Sequence, residues 1–282
     1  MKNIVIDLGN YNTKFVGDKK GNFSSKFSTG FNANGEAFES VSFNNKTTYI
    51  SVGELDREYN KVDKNYMPIA LYGLNKATSD TNVNLCLLLP VNQLLNKGKL
   101  IEQFKGKQFE YKVNDKVVKK YIHNVAILPE GYVSYYSLDQ VEANKRDIIL
   151  IDIGSRTINV ASFIEGKLER NFTIKLGIFD LYRIIKELEN AKGNDYVEED
   201  IERLIKRKKI IVADQVYLDF LKQVLNAVKG NINIKNYDVI FAAGGSLVLK
   251  TYIEENTPAT IHPEGLYSNA LGALNLCNQV WK

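Results

Sequence analysis

Cysteine, histidine and proline are all scarce in this chain of 282 residues, which has two Cys, two His and five Pro. The two cysteines, Cys86 and Cys277, stand far apart and fit no disulfide framework. The two histidines, His123 and His262, are isolated, so neither a Cys/His metal site nor a catalytic triad is expected. Cys86 lies in an apolar run and is interpreted as a buried core thiol.

Long hydrophobic runs and a strong excess of one charge are also missing. No apolar run approaches the roughly 20 residues that span a bilayer, and Asp7 falls where a signal peptide needs apolar residues. The net charge of +4 is too small to make nucleic acid the default partner. The basic run at residues 203–209 is interpreted as the solvated end of a helix. These features predict a cytoplasmic protein with no membrane partner.

What the sequence does contain is an internal repeat. Residues 4–16 align with residues 149–161: in each copy an apolar triplet precedes an Asp (Asp7 or Asp152), and a Gly follows two positions later. Both copies continue with a second apolar stretch, a turn and a third strand-like segment, which is typical of a β-meander. Two copies about half a chain apart predict two related domains rather than a short-period solenoid.

Helical patterns occupy much of the remaining chain. Apolar residues at helical spacing predict helices at residues 178–188 and 212–228. Asp195 and Glu198 have the spacing of a capping box, and residues 132–141 are also expected to be helical. Meanders combined with crossover helices predict an α/β fold. No Pro-, Gly- or Ser-rich linker marks a boundary, so the two domains are expected to be closely apposed.

The two Asp-containing turns have the composition of a phosphate site. The polar residues that follow the Asp are Asn10, Asn12, Thr13 and Lys14 in the first copy and Ser155, Arg156 and Thr157 in the second. Successive N–H groups in a tight Gly-containing turn form an anion-binding nest. An Asp beside such a nest would repel phosphate unless Mg²⁺ and its waters lie between them. One such turn could be an ordinary strand-to-turn sequence, whereas two copies favour a Mg²⁺–phosphate site.

Two further motifs each allow two interpretations. Gly244-Gly245-Ser246 follows a buried strand and opens a helix, so it could admit a flat ligand close to the backbone or be an ordinary strand-to-helix turn. Pro129-Glu130-Gly131 places a carboxylate at a strand-to-helix junction. There Glu130 could orient or deprotonate an attacking water, or it could be a surface charge at a helix start.

Read in chain order, these motifs form a known set. The segments are Asp7 to Lys14, Leu88-Leu89-Pro90-Val91, Pro129-Glu130-Gly131, Asp152 to Thr157, Gly177, Ala243 to Ser246 and Asn269-Ala270-Leu271-Gly272. The set resembles the actin/Hsp70/sugar-kinase superfamily, most of all the bacterial plasmid-segregation actins of the ParM type, and the compact length is similar to AlfA-like members. The resemblance implies a two-domain actin-like (ribonuclease H-like) α/β fold with a nucleotide cleft between domain I (residues 1–145 and 265–282) and domain II (residues 146–264).

The resemblance also implies a role for each matching residue. Asp7 and Asp152 would hold Mg²⁺, while Glu130 and Asp152 would be the catalytic residues that act on the attacking water. The residues implied in binding ATP, with GTP as an alternative, are Asp7, Gly9, Asn10, Tyr11, Asn12, Thr13, Lys14, Gly154, Ser155, Arg156, Thr157, Gly177, Gly244, Gly245 and Ser246. The implied partners are further copies of the chain in a filament and a plasmid-encoded DNA-binding adaptor, so that DNA is contacted only indirectly.

Departures from the family pattern concern the second copy. Asn159 stands where many members carry Asp, and Arg156 is bulkier than the usual Gly or Thr. The stretch between Asp152 and Gly244 is short for the family, so no adenine-contacting pair is assigned.

Two other functions remain open on the same fold. Asp7 to Thr13 also resembles the opening of type III pantothenate kinases, which would make the chain a small-molecule kinase. Against this, no Gly-Ala-Asp-Arg-type substrate motif follows, and Glu130 suits hydrolysis better than transfer to an alcohol. A non-hydrolysing scaffold is disfavoured because Asp7, Glu130 and Asp152 are all present.

Overall fold

The computed structural model describes residues 1–30 and 39–281. The chain divides into two compact units: unit 1 comprises Met1–Leu138 and Tyr267–Lys282, and unit 2 comprises Asp139–Leu266. Each unit has its own mixed β-sheet, which confirms the α/β class. Within the described residues, none of the helices is long and apolar enough to pass through a lipid bilayer.

Unit 1 is built on a sheet of nine strands in the described part of the chain. They are β1 (Lys2–Leu8), β2 (Asn12–Val16), β3 (Lys20–Ser24), β4 (Phe27–Ser28), β5 (Ser40–Phe43), β6 (Lys46–Ile50), β7 (Asn82–Leu89), β8 (Lys107–Val113) and β9 (Lys116–Pro129). Their order is β3-β2-β1-β7-β9-β8-β5-β6-β4. Because β1, β7 and β9 are parallel, their carboxyl ends meet at one edge of the sheet.

Unit 2 has a smaller sheet. Its strands are β10 (Ile148–Ile153), β11 (Ile158–Ile164), β12 (Lys167–Ile174), β13 (Asp238–Ala242) and β14 (Thr260–Ile261). They lie in the order β12-β11-β10-β13-β14, with β10, β13 and β14 parallel.

Helices cover both sheets. They are α1 (Met67–Ala77), α2 (Lys97–Phe104), α3 (Gln140–Ala143), α4 (Ile178–Asn190), α5 (Glu198–Lys206), α6 (Asp214–Lys229), α7 (Ala243–Val248), α8 (Lys250–Asn256) and α9 (Ser268–Val280). Short 3₁₀ turns at Lys61–Asp63, Val91–Asn96 and Val133–Ser137 belong to unit 1. The periodicity-based helices at residues 178–188 and 212–228 correspond to α4 and α6.

The sheet of unit 1 is covered on both faces. Successive residues of β1 point to opposite sides, so Ile4 and Ile6 pack with residues of α1, whereas Val5 packs with residues of α9. In β7 every residue after Asn82 is buried. A strand covered on both faces reads as a continuous apolar run, as this one does.

The predicted internal repeat is confirmed by the topology. The meander β1-β2-β3 is followed by the parallel strands β7 and β9, and the meander β10-β11-β12 is followed by the parallel strands β13 and β14. The five-stranded order is therefore the same in both units. Strands β8, β5, β6 and β4 extend the first sheet beyond the shared part.

The prediction that residues 132–141 are helical is wrong in most of its length. Residues Val133–Ser137 form a 3₁₀ turn, and an α-helix occurs only as the single turn α3. Contacts with α9 account for the difference: Ser134 Oγ donates to Asn269 Oδ1 at 2.7 Å, and Ser137 Oγ donates to the carbonyl of Ser268 at 2.9 Å. Side chains that bond to another element compete with helix formation.

The predicted capping box at Asp195 is also wrong, because α5 begins three residues later and Val197 is its N-cap. Asn190, the last residue of α4, fixes the incoming chain. Its Oδ1 accepts from the N–H of Tyr196 at 2.9 Å, and its Nδ2 donates to the Tyr196 carbonyl at 3.0 Å. This pair of bonds keeps the segment before α5 non-helical.

Candidate functional site

The first Asp-containing turn joins β1 to β2 as a tight hairpin. The N–H of Gly9 donates to the carbonyl of Asp7 at 2.9 Å, and a Cβ on Gly9 would lie 2.3 Å from the carbonyl oxygen of Asn12. Ser25 braces the turn, because its hydroxyl donates to the Gly9 carbonyl at 2.6 Å and contacts the Thr13 hydroxyl at 2.9 Å. The close approach explains why Gly is needed at position 9. Thr13 is fully buried, and its hydroxyl forms a hydrogen bond with that of Ser25.

Asp7 lies near the carboxyl end of β1 and is buried between two lysines. Lys14 Nζ donates to Asp7 Oδ2 at 3.0 Å, and Lys61 Nζ lies 3.7 Å from Asp7 Oδ1. The same Lys61 Nζ also donates to Glu130 Oε1. The side chains of Lys61 and Glu130 are only 5% and 10% exposed. The four groups therefore form a buried charge cluster, in which each charge depends on its partners.

These charges shift the pKa values of Asp7 and Lys61. Burial by itself would raise the pKa of the Asp7 carboxyl, but Lys14 and Lys61 outweigh burial and hold that pKa below its usual value. Burial would likewise lower the pKa of the Lys61 ammonium, but the negative charges of Glu130 and Asp7 raise it above its usual value. Both groups are therefore charged at neutral pH.

Two lysines reach the first hairpin from a segment that carries no recognisable motif. Lys61 begins a 3₁₀ turn, and its N–H donates to the buried Gln93 Oε1 at 2.9 Å. Lys64 Nζ donates to Asn10 Oδ1 at 2.7 Å and to the carbonyl of Asp56 at 2.8 Å. Both lysines are buried, at 4% and 8% exposure. Sequence reasoning does not find them, because a Lys in a mixed polar segment is normally solvated and only its burial distinguishes it.

Glu130 directly follows β9 and is held by its backbone. Its N–H donates to the carbonyl of Leu89, at the carboxyl end of β7, at 2.8 Å. The next residue, Gly131, has a φ of +76°, and its N–H donates to Asn269 Oδ1 of α9 at 2.9 Å. The end of β7 and the start of α9 thus fix the Glu130 carboxylate beside Lys61.

The second Asp-containing turn joins β10 to β11. Asp152 is buried and lies opposite Asn159 in the strand pair. The N–H of Gly154 donates to the carbonyl of Thr157 at 2.8 Å, which closes the turn. Asn159 Oδ1 accepts from Thr173 Oγ1 at 2.8 Å. The Asn that departs from the family pattern therefore bonds to β12, within the sheet.

The N-terminus of α4 packs directly onto this second turn. Gly177 is the N-cap, and the N–H groups of Ile178 and Phe179 donate to the carbonyls of Gly154 at 3.0 Å and Ser155 at 2.9 Å. The first N–H groups of α4 are therefore bonded within unit 2. The helix start positions the turn.

Gly177→Ala is expected to destabilise unit 2 by about 1–3 kcal/mol. A Cβ at this position would lie 2.5 Å from backbone atoms of Ser155 and Arg156, which cannot move without opening the hairpin. Gly230→Ala is the matched control, since its added Cβ would meet nothing closer than 3.6 Å and its φ is −64°. Urea unfolding of both variants measures the difference. Equal stability of the two would contradict the packing described for Gly177.

The motif Gly244-Gly245-Ser246 lies at the start of α7, beside the end of β10. The chain turns there at Ala243, whose φ is +65°. A Cβ on Gly245 would lie 2.7 Å from the carbonyl oxygen of Ile153, whereas one on Gly244 would meet only Leu266 at 3.4 Å. Ser246 is fully buried, and its Oγ donates to the Ala243 carbonyl at 2.7 Å. Gly245 is thus required by packing, and the Ser246 hydroxyl bonds to the turn itself.

The structure brings the predicted residues together as one group in each unit. In unit 1 the hairpin of residues 7–14 and Glu130 lie at the carboxyl ends of β1 and β9. In unit 2 the hairpin of residues 152–157 meets Gly177 and Gly245 at the carboxyl end of β10. In open α/β sheets, ligands bind outside the carboxyl ends of the strands.

A magnesium ion bound with nucleotide fits the carboxylates present. Across residues 1–30 and 39–281, no group of three or more His, Cys, Asp and Glu side chains is arranged to hold a metal. Mg²⁺ in nucleotide sites normally takes one or two carboxylates and completes its shell with waters and phosphate oxygens. Each unit has a buried carboxylate near the carboxyl end of a strand, Asp7 in unit 1 and Asp152 in unit 2. The Tyr66 hydroxyl is buried without a hydrogen-bond partner among the described residues. It lies within electrostatic reach of Lys61 and Glu130, so unit 1 offers a donor to a polar ligand.

Comparisons with known proteins give one family match and many structural likenesses. Residues 5–132 match the family model described as actin like proteins N terminal domain. Among curated proteins, none matches this sequence.

Three solved structures illustrate the structural likeness. The archaeal actin homolog Ta0583 is 17% identical, with a TM-score of 0.82 over 99% of this chain and 100% of that chain, and it has also been solved in complex with ADP. A 15-stranded ParM filament from Clostridium botulinum is 20% identical, with a TM-score of 0.80 over 99% of both chains. The AlfA filament bound to AMPPNP is 21% identical, with a TM-score of 0.69 over 99% of this chain and 97% of that chain; AlfA is also described as coming from a B. subtilis plasmid.

Proposed function

We propose that this chain is an actin-like, Mg²⁺-dependent ATPase, because residues 5–132 match the N-terminal domain model of actin-like proteins and the chain has an actin-like α/β fold. It polymerises into filaments when it binds ATP, and the filaments move plasmid DNA through a separate DNA-binding adaptor. The protein is proposed to work in the cytoplasm.

The buried charge cluster at the first hairpin is the observation that carries this proposal. Two carboxylates, of Asp7 and Glu130, are matched by Lys14 and Lys61, and Lys64 adds a further positive charge at Asn10. The three lysines and two carboxylates together therefore carry one net positive charge. Buried ammonium groups beside a tight Gly-containing turn suit the charge of a polyphosphate.

Each residue of the first hairpin has a proposed task. Lys14 and Lys64 donate to phosphate oxygens, and the N–H groups of the turn at Asn10 to Asn12 complete the anion nest, while Gly9 closes the turn. Glu130 lies beside this nest and orients the water that attacks the terminal phosphate. When bound, Mg²⁺ would be held by Asp7 and Asp152, partly through waters, and would neutralise charge on the phosphates.

The second hairpin is proposed to bind phosphate in the same way. Ser155, Arg156 and Thr157 supply N–H groups, hydroxyls and a guanidinium, and Gly154 closes the turn that presents them. Asp152 accepts a proton from the attacking water or helps to hold the metal. Gly244 allows the adenosine to approach the backbone closely, Gly245 lets α7 pack against the end of β10, and Gly177 holds the hairpin in place. Because Thr13 and Ser246 use their hydroxyls within the protein, their proposed part is to shape the site.

The proposals of filament formation and plasmid movement are based on the structural similarity to ParM and AlfA. Relatives named ParM and AlfA were solved as filaments, and AlfA comes from a plasmid. The net charge of +4 is small, so we expect DNA to be contacted through an adaptor rather than by this chain.

Sedimentation and light scattering test the proposal directly. With ATP and Mg²⁺ the protein is expected to scatter light and to pellet, and then to disassemble as phosphate is released. ADP, or ATP with EDTA, should give little polymer. No nucleotide uptake at all would overturn the proposal, and phosphate transfer to pantothenate or a sugar would establish the kinase alternative in its place.

A further inference from the structure

Lys61 is a buried residue to which the proposed ATPase mechanism gives no task of its own. Its ammonium lies between two acidic side chains, in contact with Glu130 Oε1 and 3.7 Å from Asp7 Oδ1. Burying an ammonium and two carboxylates is unfavourable unless the charges compensate one another closely. The contacts of Lys61 are therefore those of a buried ion-pair network. They differ from an exposed ion pair on the surface, which contributes little to the stability of a protein.

The position of Lys61 is fixed by its backbone as well as by its charge. Its N–H donates to Gln93 Oε1, and Gln93 Nε2 in turn donates to the carbonyl of Tyr59 at 3.2 Å. The turn that carries Lys61 is thus attached to the segment that follows β7. These bonds fix the backbone from which the side chain extends to Glu130 and Asp7.

The location of the ammonium is also the place where a divalent cation would bind two carboxylates. Asp7 already has Lys14 at Oδ2, so Lys61 supplies the positive charge at Oδ1 and at Glu130. A free metal ion would have to compete with a tethered cation that loses little entropy on binding. A metal ion carried in by a polyphosphate has phosphate oxygens as additional ligands and depends less on these carboxylates.

We propose that Lys61 is a positioning residue that acts as a built-in counter-cation: it holds Glu130 in place and keeps free divalent cations away from the Asp7–Glu130 pair, so that the metal enters together with nucleotide. This inference rests on the proposed Mg²⁺–nucleotide function.

Manganese binding to the nucleotide-free protein tests the role of Lys61. Lys61→Met keeps most of the length of the side chain and removes its charge. By electron paramagnetic resonance of Mn²⁺ without nucleotide, the variant is expected to bind Mn²⁺ at least about tenfold more tightly than the parent, since Glu130 then loses the Lys61 cation and Asp7 keeps only Lys14. MgCl₂ should also raise its melting temperature more than it raises that of the parent.

Two control variants isolate the effect. Lys99→Met removes an exposed lysine that pairs with Asp63 of the same 3₁₀ turn at 2.9 Å, and it should bind Mn²⁺ as the parent does. Lys61→Arg keeps the positive charge and should also resemble the parent. If Lys61→Met gained no Mn²⁺ binding, or if the nucleotide-free parent bound Mn²⁺ equally well, the inference would be wrong.

A variant that fails to fold still gives an answer. Lys61→Met should then refold when MnCl₂ is added but not in NaCl of the same ionic strength, and absence of that rescue contradicts the inference. None of these measurements includes nucleotide. A parent that takes up no Mg²⁺–ATP therefore overturns the proposed function, whereas unchanged Mn²⁺ binding overturns only the role of Lys61.

Discussion

Replacing Asp152 with Asn is expected to slow ATP hydrolysis at least about 100-fold, the lower end of what a positioned general base contributes. The change removes a negative charge and keeps the shape of a buried side chain near the carboxyl end of β10. Nucleotide affinity should change only a few-fold, because the N–H groups of the hairpin remain. Phosphate release measures hydrolysis, and sedimentation should find filaments that persist after the parent has disassembled.

A second Asp-to-Asn variant shows whether the loss is specific. Asp195 is exposed in the segment between α4 and α5, so Asp195→Asn should hydrolyse ATP at the parent rate. If Asp152→Asn also kept the parent rate, Asp152 would be neither the base nor a residue that the metal requires.

Gly272→Ala is expected to lower the free energy of unfolding by about 3 kcal/mol or more, beyond an ordinary overpacking change. Gly272 is buried in α9, and a Cβ there would lie 1.8 Å from the carbonyl oxygen of Val133 and 3.2 Å from the N–H nitrogen of Ser137. Both atoms belong to backbone, so α9 would have to move away from the 3₁₀ turn. The same helix carries Asn269, which fixes the backbone after Glu130. Urea unfolding of unit 1 measures the loss.

Gly98→Ala is the matched control for that variant. Gly98 lies in α2, and an added Cβ would meet nothing within 4 Å. Ala is favoured over Gly in a helix, so the variant should be more stable by roughly 0.5 kcal/mol. The two Gly-to-Ala changes are therefore expected to have opposite signs. A loss of similar size in both would mean that the contact between α9 and the turn is looser than described.

Much of the architecture could be predicted from the sequence because its causes are local. In the first copy, an apolar triplet followed by Asp7 and Gly9 predicts a strand that ends in a sharp turn. The second copy, with Asp152 and Gly154, predicts the same structure. Both turns are hairpins, and both meanders have the expected order. The continuous apolar run of β7 is likewise typical of a strand that is buried on both faces, as this strand is. The roles given to the site residues remain predictions.

The sequence-based predictions are wrong where hydrogen bonds to another segment determine the local secondary structure. Residues 132–141 have a helical pattern, but Ser134 and Ser137 bond to the start of α9, more than 130 positions away. The helix expected from Asp195 begins later because Asn190 holds Tyr196. In both cases side-chain hydrogen bonds to a neighbouring segment outweigh a local propensity worth only tenths of a kcal/mol per residue.

By itself the sequence determined the repeat, the α/β class and the two Asp-containing turns, because hydrophobic period and Gly spacing act over a few residues. Only the tertiary structure decided which charges surround Asp7. Lys61 and Lys64 look like solvated lysines in the sequence, and they become buried partners of Asp7, Glu130 and Asn10 when the chain folds. The physical reason is that the partner of a buried charge is chosen by proximity in space, which no local pattern encodes.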